Sequence, residues 1–498
     1  MKLVYGVQDK PSWGKTIVFA LQQLLAIMAA TIAVPMIIGN GMSTTAALFG
    51  AGVGTLVYLL FTKFRSPVFL GSSFAFLGSM SAAFAGGISM QLGYLGLILG
   101  AVFAGLVYVI IAIVIKFAGV EWLNKLMPAV VIGPTVAIIG LSLAGNAIGD
   151  LSKGSAFKEV VSDVLVNGNQ VFDAAGNAIT ETTSVMLCSP YVALVCGLVT
   201  LFVTIACSVY GKKMLKMIPF IIGILAGYAV AAIFTGIGIA TGNEALQVIN
   251  FSLFKDAFSK WYPDFTFLTA FKGFGELNGA YIGTIAVAYV PVAFVVFAEH
   301  VADHKNLSSV IEHDLLEDPG LSRTLLGDGV GSMAGAIFGG CPNTTYGESV
   351  GCVAISGNAS VRTIITTAVM AIVISFISPF ATFLASIPSC VMGGVCITLY
   401  GFIAVSGLKM IQEVDLGDNR NLFVVCVILI AGVGGMVLTF GKVTITAVAC
   451  ALILGILVNL LVNIGNKKDK KETATTADAP VSATTAEAPV SETKEENK

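Results

Sequence analysis

Three carboxylates draw attention because their surroundings are apolar. Glu299 closes an apolar run, Asp303 follows it by four residues, and Glu348 lies within another such run. On a continuing helix Glu299 and Asp303 share one face. Ionisable residues at membrane depth are costly and default to functional roles. The plainer alternative, for Glu299 and Asp303 above all, is a carboxylate at a helix end that reaches water. A buried carboxylate accepts hydrogen bonds and suits a ligand rich in N–H donors. It can also exchange a proton, because desolvation disfavours its charged form. His300 and His304 are likewise four apart and could be read as a metal pair. They lack a third ligand and the HExxH pattern, so no metal is assigned. At a span end, hydrated histidines are the expectation. Asn343-Thr344-Thr345 matches a glycosylation acceptor but falls inside an apolar segment, where that chemistry has no place.

These residues are exceptions in a chain of 498 residues that is 56% hydrophobic and 11% charged, with a mean hydropathy of +0.90. Soluble proteins carry about 25% charged residues. The composition excludes a set of soluble domains, a disordered chain, a secreted disulfide scaffold and a basic nucleic-acid binder; the net charge is −2. The nine cysteines are scattered singly and read as packing residues. The 55 glycines fit close helix packing in a bilayer.

A membrane helix needs about 20 apolar residues. Apolar segments fall at 17–38, 44–61, 67–85, 93–117, 126–147, 189–209, 217–240, 281–299, 324–340, 342–357, 363–385, 389–408, 421–440 and 443–464. That is fourteen segments, and the expected class is an all-α polytopic membrane protein. The first run, Ile17 to Ile38, is too long for a signal-peptide core and is a retained span. Lys and Arg placement puts the N-terminus inside. The inner loops hold Lys63, Arg65, Lys116, Lys125, Lys212, Lys213, Lys216, Arg362 and Lys409. An even count then puts both termini in the cytoplasm. Residues 148–188 form a polar outer loop and 241–280 an outer interfacial segment. The tail, 465–498, is rich in Thr, Ala, Pro, Glu and Lys, carries a nine-residue duplication and is expected to be disordered.

Segments three and ten are poor helices. One reads Ser66-Pro67-Val68-Phe69-Leu70-Gly71-Ser72-Ser73-Phe74, the other Gly339-Gly340-Cys341-Pro342-Asn343-Thr344-Thr345-Tyr346-Gly347-Glu348. Backbone of this kind at membrane depth must be buried in protein or line a cavity. The two segments are seven apart in a count of fourteen, which predicts two inverted seven-segment repeats. Paired broken segments in corresponding places mark a transporter's substrate site. Free N–H groups at a half-helix start suit carbonyl oxygens or anions. With the carboxylates they describe a small planar ligand with alternating donors and acceptors. A nucleobase fits, but these residues alone do not select one.

Three stretches resemble one family. They are Gln22-Gln23-Leu24-Leu25-Ala26 through Ala33-Val34-Pro35; Phe69-Leu70-Gly71-Ser72-Ser73-Phe74-Ala75-Phe76; and Ala298-Glu299-His300-Val301-Ala302-Asp303-His304 through Asp314 to Leu321 and on to Pro342–Glu348. This pattern is similar to the nucleobase–cation symporters, also called nucleobase–ascorbate transporters, over about residues 10–465. The resemblance implies short strands in segments three and ten. It implies a core domain at 17–117 and 281–385 and a gate domain at 126–240 and 389–464, after a cytoplasmic N-terminus at 1–16. Glu299 would hydrogen-bond the base, Glu348 would contact its other side, and the Phe74 and Gly347 amides would donate to its carbonyls. Tyr346 would shape the pocket. Asp303 stands where relatives carry histidine or aspartate, Gln23 where many carry histidine, and Ser349 where asparagine is frequent. The implied activity is nucleobase import, with uracil ahead of xanthine, by proton symport at Glu299, Asp303 and Glu348. Sodium is the alternative coupling ion, and an anion transporter on the related fold is a remote alternative. No cofactor or catalytic residue is implied. The expected partners are the lipid bilayer and a second copy of the chain in a homodimer.

Overall fold

The computed structural model describes residues 3–119, 128–163, 165–166, 169–170, 180–212, 214–256, 258, 261–412, 414–440 and 443–464. The expected tail at 465–498, Lys125, Lys213 and parts of the polar outer loop lie outside them.

The described residues are mostly helical. The long helices are α1 (Trp13–Ile38), α2 (Thr44–Phe61), α4 (Met90–Ala118), α5 (Ala129–Ser142) running on into α6 (Ala144–Asp150), α7 (Pro190–Tyr210), α8 (Pro219–Thr241), α9 (Gly279–Ile311), α10 (Leu321–Gly339) and α14 (Ser389–Gln412). Side-chain caps fix several starts: Ser43 accepts from the Ala46 amide, Ser89 from Leu92 and Asn278 from Tyr281. Among the described residues, eight helices are long and apolar enough to cross a membrane, or nine if a bent pair counts as one. That pair is α12 (Val361–Ile374) and α13 (Ser378–Ser386), which meet at 85° where a single segment at 363–385 was expected. Pro379 opens the second helix, and a proline there lacks the N–H that would continue the first. Shorter apolar helices are α15 (Asn419–Val433) and α16 (Ala447–Val462). The outer loop contains a hairpin, β2 (Phe157–Asp163) with β3 (Thr180–Met186).

Two broken segments interrupt this helical plan. After Pro67 the chain forms β1 (Leu70–Ser72), a turn of 3₁₀ helix at Phe74–Phe76 and α3 (Leu77–Ala83). After Pro342 it forms β4 (Asn343–Thr345) and α11 (Gly347–Ser356). The strands pair antiparallel: Leu70 opposite Thr345, Gly71 opposite Thr344, Ser72 opposite Asn343. The Ser73 amide extends the ladder to the Pro342 carbonyl at 2.9 Å. All six strand residues are buried. Each strand thus supplies the partners that the other's backbone could not find in lipid.

Packing falls into two sets. Helix α10 lies on α2 and α4, α4 on α9, and α12 on α1 and α2. Helix α14 lies on α5 and α7, α7 on α8, and α15 on α16 and α5. Close approach depends on glycine: a Cβ on Gly54 of α2 would stand 2.7 Å from the Gly331 carbonyl oxygen of α10.

Candidate functional site

The site forms where α9 passes the two strand–helix junctions. Asp303 on α9 accepts a hydrogen bond from the Thr345 hydroxyl at 2.8 Å, tying the helix to the end of β4. Two residues on, Gly347 opens α11 and is exposed. A Cβ there would stand 3.6 Å from Asp303 Oδ1, so the start of α11 lies beside the carboxylate. Glu348 is the second residue of α11, where the helix dipole favours an anion. Glu299 lies one turn before Asp303, and both Asp303 and Glu348 are within its electrostatic reach. Glu299, Asp303 and Glu348 are each partly exposed. The structure therefore brings together the three carboxylates singled out in the sequence.

Phe74 starts the other half helix. Its ring meets Tyr400 of α14 edge-on, with centroids 6.0 Å apart. The first amides of a helix have no intrahelical acceptor, and Phe74 and Gly347 both hold that position. Tyr346 is buried, and its hydroxyl donates to the Ser72 carbonyl at 2.8 Å. Its ring lies against Gly71, where a Cβ would collide with it. Gln23 of α1 donates to Ser349 Oγ, which also accepts from the Phe69 amide at 3.1 Å. Gln23 and Ser349 thus touch each other, and Ser349 holds the backbone leading into β1.

One expectation changes. His300 and His304 are not hydrated at a helix end: both are 0% exposed. Helix α9 runs on to Ile311, past the end of its apolar run, and carries them between α2 and α10. His300 Nδ1 lies 2.7 Å from Asp328 Oδ2 and Nε2 lies 3.1 Å from Thr324 Oγ1. His304 Nε2 lies 2.7 Å from the Tyr58 hydroxyl. Asp328 is the residue that sequence reasoning passed over. It is a lone charge in the glycine-rich run Gly327-Asp328-Gly329 of α10, the same signal that marked Glu348. Among the described residues, no group of three His, Cys, Asp or Glu side chains is arranged to hold a metal ion.

The fold is similar to that of solved membrane transporters. The transmembrane domain of a cyanobacterium bicarbonate transporter, BicA, matches with a TM-score of 0.55 at 15% identity, covering 92% of this chain and all of that one. The murine Slc26a9 anion transporter matches with a TM-score of 0.61 at 11% identity, covering 92% of this chain and 69% of that one. Sequence relatives are nearer. The uracil permease of Bacillus caldolyticus is 38% identical over 465 residues, 92% of this chain and 95% of that protein. The uracil permease of Bacillus subtilis (strain 168) is 37% identical over 96% of this chain and 98% of that protein. The uracil permease of Escherichia coli (strain K12) is 32% identical over 92% and 93%. The sequence model described as Permease family matches residues 14–172 and 169–441. With that model spanning most of the chain, and relatives above 30% identity along nearly its whole length, this polytopic membrane protein belongs to the Permease family.

Proposed function

We propose that the protein imports a nucleobase, uracil ahead of xanthine, by proton symport. The observation that carries this reading is the grouping of Asp303, Glu299 and Glu348 at the start of the half helix α11, in a chain whose relatives are named uracil permeases. Uracil offers two N–H donors and two carbonyl acceptors. Glu299 and Glu348 accept from the donors, the Phe74 and Gly347 amides donate to the carbonyls, and Tyr346 walls the pocket. Three neighbouring carboxylates repel one another when all are charged, and a proton entering with the base removes part of that repulsion. Anion transport on the same fold is disfavoured by three carboxylates at the site.

The transport cycle in this reading rocks a core domain (17–117 and 281–385) against a gate domain (126–240 and 389–464) in a fourteen-segment fold of two inverted repeats. The two packing sets and the antiparallel pairing of two strand–half-helix units support it. In this reading both termini lie on the cytoplasmic side. The N-terminal segment pairs with the loop after α11 through Tyr5 and Asn358, and Gln8 donates to the Phe64 carbonyl beside Arg65, a cluster that fits an inner face. The protein acts as a homodimer in this reading.

The deciding experiment is uptake of radiolabelled uracil and xanthine into proteoliposomes under separately imposed proton and sodium gradients. Proton-driven uracil accumulation that Glu299→Gln abolishes is expected. Full proton-dependent uptake by Glu299→Gln refutes the site, sodium-driven uptake refutes the coupling ion, and preference for xanthine refutes the substrate.

A further inference from the structure

Helix α9 shows two kinds of face. Glu299 and Asp303 look into the partly exposed site, while His300 and His304 are wholly buried one residue further round. The buried face is bonded to two neighbouring elements. His300 reaches Asp328 and Thr324 of α10. His304 Nδ1 donates to the His300 carbonyl at 2.8 Å, and its Nε2 bonds Tyr58 of α2, whose hydroxyl also bonds Ser66 at 2.6 Å. A residue pair four apart on one helix side is thus pinned to α10 and to α2, next to the carboxylates that face the site.

Hydrogen counting restricts the charge of this cluster. The Thr324 hydroxyl has one hydrogen and donates it to the Leu321 carbonyl at 3.1 Å. With its hydrogen in that bond it accepts from His300, and Nε2 then carries a proton. One further proton then lies between His300 Nδ1 and Asp328 Oδ2, and the pair is neutral as a unit whichever atom holds it. Removing that proton leaves a bare anion, and Asp328 Oδ1 is buried with no hydrogen-bond partner to receive it. Adding one leaves a buried cation. Either change places an unpaired charge where water cannot reach. The titratable groups within electrostatic reach of the pair are Tyr108 of α4, Tyr58 of α2, and Glu299, Asp303 and His304 of its own helix. None of these is a permanent cation that would hold Asp328 ionised.

We propose that His300, Asp328 and Thr324 are a positioning unit for the substrate carboxylates. The unit keeps a resident proton, fixes the rotation of α9 about its axis and so aims Glu299 and Asp303 at the site. Asp328, although a buried membrane carboxylate, is not one of the coupling groups. The coupling half of this inference rests on the proton-symport reading above; the positioning half does not.

The test compares Asp328→Asn, Asp328→Leu and His300→Ala by uracil binding to the purified full-length protein and by proton-to-uracil stoichiometry in proteoliposomes. Asp328→Asn keeps the shape and can donate to His300 Nδ1 without a titratable proton. It is expected to bind within about threefold of wild type, with unchanged stoichiometry and pH profile. Asp328→Leu and His300→Ala are expected to weaken binding about tenfold or more, His300→Ala the more severely because it strands a carboxylate. Adding Asp328→Leu to His300→Ala should recover part of the loss. A lowered stoichiometry or flattened pH profile in Asp328→Asn makes Asp328 a coupling carboxylate and overturns the proposal. Lower thermal stability with unchanged affinity in Asp328→Leu and His300→Ala reduces the unit to scaffolding and overturns it equally. Wild-type uptake without proton movement refutes the symport reading and the coupling half with it, while the affinity comparison still decides the positioning half.

Discussion

Gly71→Ala is a one-carbon change that should damage the site from behind. Gly71 sits in the middle of β1, and the Cβ it lacks would occupy the place of the Tyr346 ring, meeting its hydroxyl oxygen at 2.8 Å. Strand and ring cannot both keep their places. The strand is held by its ladder to β4 and by the bond from the Leu70 amide to Thr55 Oγ1 at 2.9 Å, so the ring must move. Its motion breaks the hydroxyl bond to Ser72, worth about 1 kcal/mol, and adds overpacking of about 1–3 kcal/mol. Tyr346 is the residue before Gly347, so the displacement passes directly to the amide assigned to the base carbonyl. A total near 2–4 kcal/mol corresponds to roughly 30- to 1000-fold in affinity if most of it is expressed at the site. Tyr346→Phe removes only the hydroxyl bond and should cost about fivefold. The assay is radiolabelled uracil uptake in permease-deficient cells, normalised to protein in the membrane, with binding to the purified protein alongside. Gly71→Ala with KM and affinity within twofold of wild type would show that the Tyr346 ring does not position the site, and the reasoning would fail.

Other changes probe other contacts. Thr345→Val keeps the shape of the side chain but removes the donor to Asp303. A hydrogen bond to a carboxylate is worth about 1.5–3 kcal/mol, so uptake should fall roughly tenfold or more at normal protein levels; an unchanged rate would remove Asp303 from the site. Ser349→Ala leaves the buried Phe69 amide without its acceptor and Gln23 with only the Ser349 carbonyl at 3.4 Å, and a KM raised roughly tenfold is expected, at about 1–3 kcal/mol for an unsatisfied group. Gly331→Val presses a side chain against the Gly54 carbonyl where α2 and α10 touch. The purified protein should melt several degrees lower, and an unaltered melting curve would show that this contact is not tight.

The sequence was most informative where chemistry conflicts with its surroundings. Glu348 in an apolar run, and the Pro67–Gly71 and Pro342–Gly347 interruptions, needed no structure to be noticed, because charge and broken helix periodicity are local properties. Each interruption falls at a short strand followed by a half helix, the strands being what the family resemblance implied, and Asp303 lies beside the second unit. The same signal was present at Asp328 and was lost among glycines. The bend between α12 and α13 was hidden inside one apolar run, since hydropathy averages over a turn that only backbone geometry resolves.

By composition and pattern alone, then, this chain is determined to be a multi-span membrane protein with two interrupted segments and very few charges inside. Those facts follow from what lipid tolerates, and lipid acts on each residue where it stands. Tertiary structure decided the pairings: Leu70 opposite Thr345, Thr345 on Asp303, His300 on Asp328, Phe74 against Tyr400. Each joins residues far apart in the chain or on different helix faces, and no local period encodes a register between distant segments. Whether a buried acid is a lone charge facing a ligand or half of a neutral pair depends on that register. That is why Glu348 and Asp328, alike in sequence, have different surroundings in the folded protein.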